Sequence, residues 1–277
     1  MLKFISNEIL FAFVRKKREV GNITQQQRHI KILEYLHKNK SAQVTHLSEI
    51  LGVSSVTVRK DVTYLAGRGL LLRLQGYVEL NSTTAVHRRM LASYARKLRI
   101  AKRAAELIEN GDTVILESGT CCILLAEELK NTKKTVTVIT NSLFMADFIS
   151  PCENITLVLL GGSYQSDSMA TVGPVTKACL APFHAKYFFS GTDGFWADEG
   201  FECDDPARAE ILHDMAVHAD QTVMITESQK FSSRGAMRLF SLDKTDIVVT
   251  DAAIPQQAEQ KLIEHGVRVL KAQEEGV

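Results

Sequence analysis

Five short polar segments each stand within two residues of the end of an apolar run: Glu117-Ser118-Gly119-Thr120, Thr140-Asn141-Ser142, Gly161-Gly162, Gly191-Thr192-Asp193-Gly194 and Glu227-Ser228-Gln229-Lys230. Together they hold the groups that anion recognition needs. Ser118-Gly119-Thr120 lies between an expected strand and a helix expected over Cys121 to Leu129, where unpaired backbone N–H groups and the helix dipole favour a phosphate. Gly119 would let the backbone approach the anion, Lys230 would supply a cation, and Cys121 offers only a weak thiol donor. Glu117 and Asp193 raise a second chemistry, with either carboxylate as general base and Lys230 polarising an oxygen. Each piece alone is what a tight turn or a solvated lysine would show. Their joint placement at successive strand ends predicts a pocket made by Glu117, Ser118, Gly119, Thr120, Cys121, Asn141, Gly161, Gly162, Asp193 and Lys230.

A different set of polar groups stands earlier in the chain. Val53-Ser54-Ser55-Val56-Thr57 opens a helix at Ser54 or Ser55, because a serine hydroxyl caps an orphan backbone N–H. Val58, Val62 and Leu65 then follow i, i+4, i+7 and face a core. Helices expected over Gln25 to Asn39 and Thr45 to Leu51 precede it, and Leu70 to Leu74 and Tyr77 to Leu80 form a hairpin turning at Gly76. Three short helices and a hairpin make a winged helix-turn-helix whose third helix fits a DNA major groove. Arg59 and Lys60 are expected on phosphates; Ser55, Thr57 and Tyr64 are candidates for base edges, with Ser54 shared between capping and DNA. Arg73 and Gln75 would touch DNA from the wing, and Asp61 is expected to be structural.

The elements that must position these groups divide the chain. Residues 1–100 hold 18 Lys and Arg against 6 Asp and Glu, net +12, whereas the remainder holds 15 against 26, net −11. A basic half joined to an acidic half is the pattern of a nucleic-acid module attached to something else. In the acidic half, short apolar runs at Thr113 to Leu116, Val136 to Ile139, Ile155 to Leu160, Tyr187 to Phe189, Thr222 to Ile225 and Ile247 to Val249 alternate with helical stretches or loops, which predicts a mainly parallel α/β sheet. The expected division is an N-terminal extension at 1–22, the winged helix at 23–80 with its helix-turn-helix at 43–62, a linker at 81–95 and a sensing α/β domain at 96–277. Charged residues at 23% and hydrophobic ones at 45% argue against disorder and a membrane protein, and no run approaches the roughly 20 apolar residues needed to span a bilayer. The apolar opening Leu2 to Val14 is interrupted by Asn7 and Glu8 and precedes its basic cluster, unlike a signal peptide. Five unpaired-looking cysteines fit a reducing cytoplasm, with no metal site and no cofactor expected.

Val53-Ser54-x-x-Thr57-Val58-Arg59-Lys60-Asp61-Val62, followed by Gly69-Leu70-Leu71, resembles the DNA-binding domain of DeoR-type regulators. The family usually closes its wing with His-Gly-Gly-Ala; this chain has Gln75-Gly76-Tyr77-Val78. From about Arg96 to Asp251 the chain resembles the family's effector domain, itself similar to ribose-5-phosphate isomerase. Arg99-Ile100-Ala101, Gly111-Asp112, Ser118-Gly119-Thr120, Thr140-Asn141-Ser142, Leu160-Gly161-Gly162, Gly173-Pro174, Asp193-Gly194, Lys230-Phe231 and Thr250-Asp251 carry that likeness. Glu117 stands where Asp is usual, Cys121 and Cys122 where Thr is common, and Glu227 and Gln229 where Asp and Ser are typical. The resemblance implies a transcription repressor of a sugar or polyol catabolic operon, relieved by a phosphorylated sugar-like effector. Double-stranded operator DNA would be its partner. A homodimer or homotetramer would set recognition helices about one turn (~34 Å) or a multiple apart. Two other readings compete: a sugar-phosphate isomerase with an appended DNA-binding domain, and a nucleic-acid-binding structural protein without a ligand.

Overall fold

The computed structural model describes residues 23–273, so the expected N-terminal extension lies outside the described residues. Helix α1 (Gln25–Asn39) opens with a capping box in which Thr24 accepts from the Gln27 N–H while the Gln27 side chain accepts from the Thr24 N–H. Strand β1 (Ser41–Gln43), helices α2 (Val44–Leu51) and α3 (Ser55–Gly67), and the hairpin β2 (Leu71–Arg73) and β3 (Tyr77–Leu80) follow. Ile32, Leu33, Leu36, Leu47, Val58, Val62, Leu65, Leu71 and Val78 bury one shared core. Strand β1 adds a third, antiparallel strand to the hairpin in the order β1-β3-β2. Its three residues are too few to show an alternating pattern.

The chain divides into two compact units between Thr83 and Thr84. The segment 81–95, expected to be a linker without apolar periodicity, contains helix α4 (Ala85–Leu91). Val86 and Met90, four apart, are fully buried, and the Thr84 hydroxyl caps the His87 N–H at 3.3 Å. This helix belongs to the second unit. It is followed by α5 (Tyr94–Ala105), β4 (Thr113–Leu116), α6 (Thr120–Lys130), β5 (Val136–Thr140), α7 (Leu143–Ile149) and β6 (Ile155–Leu159). The hairpin β7 (Ser163–Gln165) and β8 (Ala170–Val172), helix α8 (Pro174–Leu180) and strand β9 (Ala185–Ser190) come next. Strands β10 (Gly194–Trp196) and β11 (Gly200–Cys203) lead to α9 (Pro206–Val217), β12 (Ala219–Ile225), β13 (Met237–Phe240), β14 (Ile247–Asp251), α10 (Gln256–Glu264) and β15 (Arg268–Ala272).

Seven strands form the main sheet in the order β15-β14-β12-β9-β4-β5-β6, and every neighbouring pair is parallel. On β9, successive Phe188 and Phe189 point to opposite faces and are both fully buried, so the sheet is covered on both sides. Chain order runs outward in opposite directions from the neighbours β4 and β9. Their carboxyl ends therefore mark the switch point, where the connections diverge and leave a crevice. Among the described residues, no helix is long and apolar enough to cross a membrane.

Candidate functional site

At that crevice a cavity of 760 Å³ opens, lined from β4 by Ser118, Gly119, Thr120 and Cys121, from β9 by Gly191, Thr192 and Asp193, and from β12 by Thr226, Glu227, Gln229 and Lys230. Its size suits a small molecule. The wall is completed by the hairpin turn from Tyr164 to Ser168, by Arg208 near the start of α9, and by Arg89 and Lys97 from α4 and α5. The first turn of α6 faces the cavity with Gly119 as its N-cap, and no side chain caps it.

Ion pairs organise the floor. Glu117, 0% exposed, accepts from the Gly191 N–H at 2.9 Å and pairs with the Arg208 guanidinium at 3.3 Å. Arg208 also reaches Asp193 Oδ2 at 2.8 Å. Burial works against the Arg208 charge, but Glu117 and then Asp193 outweigh it and hold the guanidinium more firmly protonated than usual. Burial likewise opposes the Asp193 charge, yet Arg208, the Asp204 N–H and Lys230 together keep its carboxyl below the ordinary aspartate range. Burial, aided chiefly by Glu227 at Cys121 and by Glu117 at Cys122, pushes both thiols well up, so they remain protonated donors and not nucleophiles.

Gly119 has an ordinary extended backbone, and its lack of a side chain serves a neighbour. A Cβ there would stand 2.0 Å from Glu117 Oε1. Lys97 is only 4% exposed; its ammonium bonds the Arg89 and Ala92 carbonyls and lies 3.4 Å from Glu227 Oε1. Lys230 bonds the Asp193 carbonyl at 3.5 Å and Arg89 the Asp167 carbonyl at 3.3 Å. Both cations keep further N–H donors.

The cavity thus gathers six of the ten expected residues, Ser118, Gly119, Thr120, Cys121, Asp193 and Lys230, with Glu117 directly behind them. Asn141, Gly161 and Gly162 do not line it, because β5 and β6 lie beyond the switch point and their ends are covered by the β7–β8 hairpin. Asn141 Nδ2 donates to the Thr171 carbonyl at 2.8 Å and fastens that hairpin. Gly162 has φ +149, and a Cβ there would meet Thr176 Oγ1 at 1.9 Å. Arg89, Lys97 and Arg208 were missing from the sequence expectation. The Asp205-Pro206 cap, in which Asp205 accepts from the Ala207 and Arg208 N–H groups, was the one local signal placing Arg208 at a helix start.

In the first unit, Ser54 caps α3 through the Thr57 N–H at 3.1 Å, and its hydroxyl lies 2.9 Å from that of Thr57. Val58, Val62 and Leu65 face the core, while Arg59 and Lys60 are exposed. Asp61, 1% exposed, receives Arg28 at 2.7 and 3.0 Å and lies 3.2 Å from His29 Nε2, clamping α3 to α1. Tyr64 stacks on His29 at 4.9 Å with the Arg68 guanidinium 5.3 Å from its ring, so packing occupies much of the ring expected to read bases. Arg73 donates to Thr63 Oγ1 at 3.0 Å and ties the wing to α3; Gln75 is exposed at the hairpin turn.

Residues 92–252 match the family of DeoR C terminal sensor domains, and residues 28–84 match the DeoR-like helix-turn-helix domain. The chain is 27% identical to the glycerol-3-phosphate regulon repressor of Escherichia coli (strain K12), over 88% of this chain and 98% of that protein. It is 27% identical to the transcriptional regulator UlaR of Shigella dysenteriae serotype 1 (strain Sd197), over 90% of this chain and all of that one. A ribose 5-phosphate isomerase from Methanocaldococcus jannaschii superposes with a TM-score of 0.36 at 20% identity, covering 49% of this chain and 53% of that one. With helix-turn-helix and sensor matched in chain order, this protein belongs to the DeoR family of DNA-binding transcription regulators.

Proposed function

We propose that this protein represses a sugar or polyol catabolic operon in the cytoplasm and releases its operator when a phosphorylated sugar-like effector enters the switch-point cavity. The observation that carries this reading is the pairing of the uncapped α6 N-terminus with Arg89 and Lys230, two cations that retain donors beside a cavity of small-molecule size. Ser118, Gly119, Thr120 and Cys121 offer the anion its backbone cradle, and Asp193 and Glu227 offer acceptors for hydroxyls. A glycerol-3-phosphate regulon repressor among the relatives supports a phosphorylated ligand. Ser54, Ser55, Thr57, Arg59, Lys60, Arg73 and Gln75 make the DNA surface, in a homodimer or homotetramer that presents two copies of α3. In this reading the linker ends at Thr83 and the sensing unit begins at Thr84.

Thermal melting of the full chain tests the cavity. A panel of hexose, pentose and polyol phosphates should include at least one that raises the melting temperature, by the linkage between ligand and folded state, while its unphosphorylated parent does not. No shift from any phosphate would contradict the reading. The isomerase reading is disfavoured at its bases: Asp193 and Glu117 both serve the Arg208 guanidinium, and Asp193 is held as the weaker base.

A further inference from the structure

Opposite the buried stripe of Val58, Asp61, Val62 and Leu65, helix α3 presents Val56, Lys60 and Thr63 at i, i+4, i+7. The polar neighbours in and near the first turn are committed elsewhere. Ser54 and Thr57 lie within hydrogen-bonding distance of each other, and Thr63 donates to the Arg59 carbonyl at 2.7 Å while accepting from Arg73. Beside the half-exposed Ser55, the group that points outward at the helix start is the isopropyl of Val56, 58% exposed. A β-branched residue is a poor helix former, and here it has no core to fill, so local folding does not account for it.

The charge around it selects the occupant of this face. Lys60 lies one turn along the same stripe, Arg59 flanks it, and residues 1–83, which make up this unit, hold 13 Lys and Arg against 6 Asp and Glu, net +7. Duplex DNA is the partner that such a surface fits. In its major groove the base edges carry one apolar feature, the C5 methyl of thymine. We propose that Val56 packs against a thymine methyl in each half-site and so determines sequence preference. This inference rests on DNA binding by α3 and adds a residue to it. Lys60, on the neighbouring turn, neutralises phosphate and adds affinity without preference.

The test uses the full chain and duplexes it selects from a random pool, with each thymine of the selected half-site then replaced singly by deoxyuridine, which removes only the methyl. One position should lose about fourfold in affinity, the value of a single buried methyl group. With Val56→Ser that loss should vanish at the same position, while affinity for the deoxyuridine duplex stays within about twofold of the unsubstituted chain's. Lys60→Ala should weaken all duplexes alike and keep the methyl effect. If no thymine shows a methyl effect, or if the effect survives Val56→Ser, the proposal is overturned while DNA binding stands. If the chain selects no duplex at all, the DNA-binding reading falls with it.

Discussion

Arg208 meets two carboxylates at once, and one of them, Glu117, has no access to water. Removing the cation would strand a buried charge, so Arg208→Met should destabilise the sensing unit by ~3–5 kcal/mol, read from its urea transition. His87 supplies a test by pH. Burial lowers its pKa, so the folded chain holds it neutral where the unfolded chain, near 6.5, takes up a proton. Stability at His87 is therefore complete above that unfolded value and declines as pH falls from about 6.5 toward the lower folded one. His87→Phe should flatten this part of the stability profile between pH 7 and 5, measured by chemical unfolding at each pH. Neither Arg208 nor Lys97 was legible as a buried cation. Lysine and arginine are almost never buried unless paired, and their partners, Glu117, Asp193 and Glu227, are remote in sequence.

At the scale of elements, α3 could be read from serine capping and the Val58-Val62-Leu65 stripe because both signals are local. Ser54→Ala should cost ~1 kcal/mol of stability in the DNA-binding unit, seen as a lower unfolding midpoint. Six of the seven strands of the sheet were legible as apolar runs; β15 was not, because Arg268 and Lys271 interrupt its apolar residues, and β1 and α4 were too short to establish a period. The pocket was overextended for a topological reason. Every strand has a carboxyl end, but only the strands around the switch point open onto the crevice, and strand order is not written in any one segment. Asn141 consequently acts through the β7–β8 hairpin, whose turn from Tyr164 to Ser168 it helps to hold over the cavity. Asn141→Ala should weaken effector binding without removing a lining residue, and Gly162→Ala should destabilise by ~1–3 kcal/mol because its Cβ would collide with Thr176.

For the whole molecule, the charge divides by unit: residues 1–83 hold 13 Lys and Arg against 6 Asp and Glu, net +7, and residues 84–277 hold 20 against 26, net −6, within a chain of nearly zero net charge. A ligand can change DNA affinity only by favouring one arrangement of the protein over another, so the proposed function requires occupancy of the cavity and release of DNA to be linked reciprocally. The most direct measurement is fluorescence anisotropy of a selected duplex, titrated with the full chain at fixed salt, with and without the sugar phosphate that raises its melting temperature. The account predicts that saturating ligand weakens DNA binding by roughly 5–150-fold, the usual range of allosteric coupling, and that Lys230→Ala loses the response at the same ligand concentration while still binding DNA. Unchanged DNA affinity at saturating ligand, or a full response from Lys230→Ala, would contradict it.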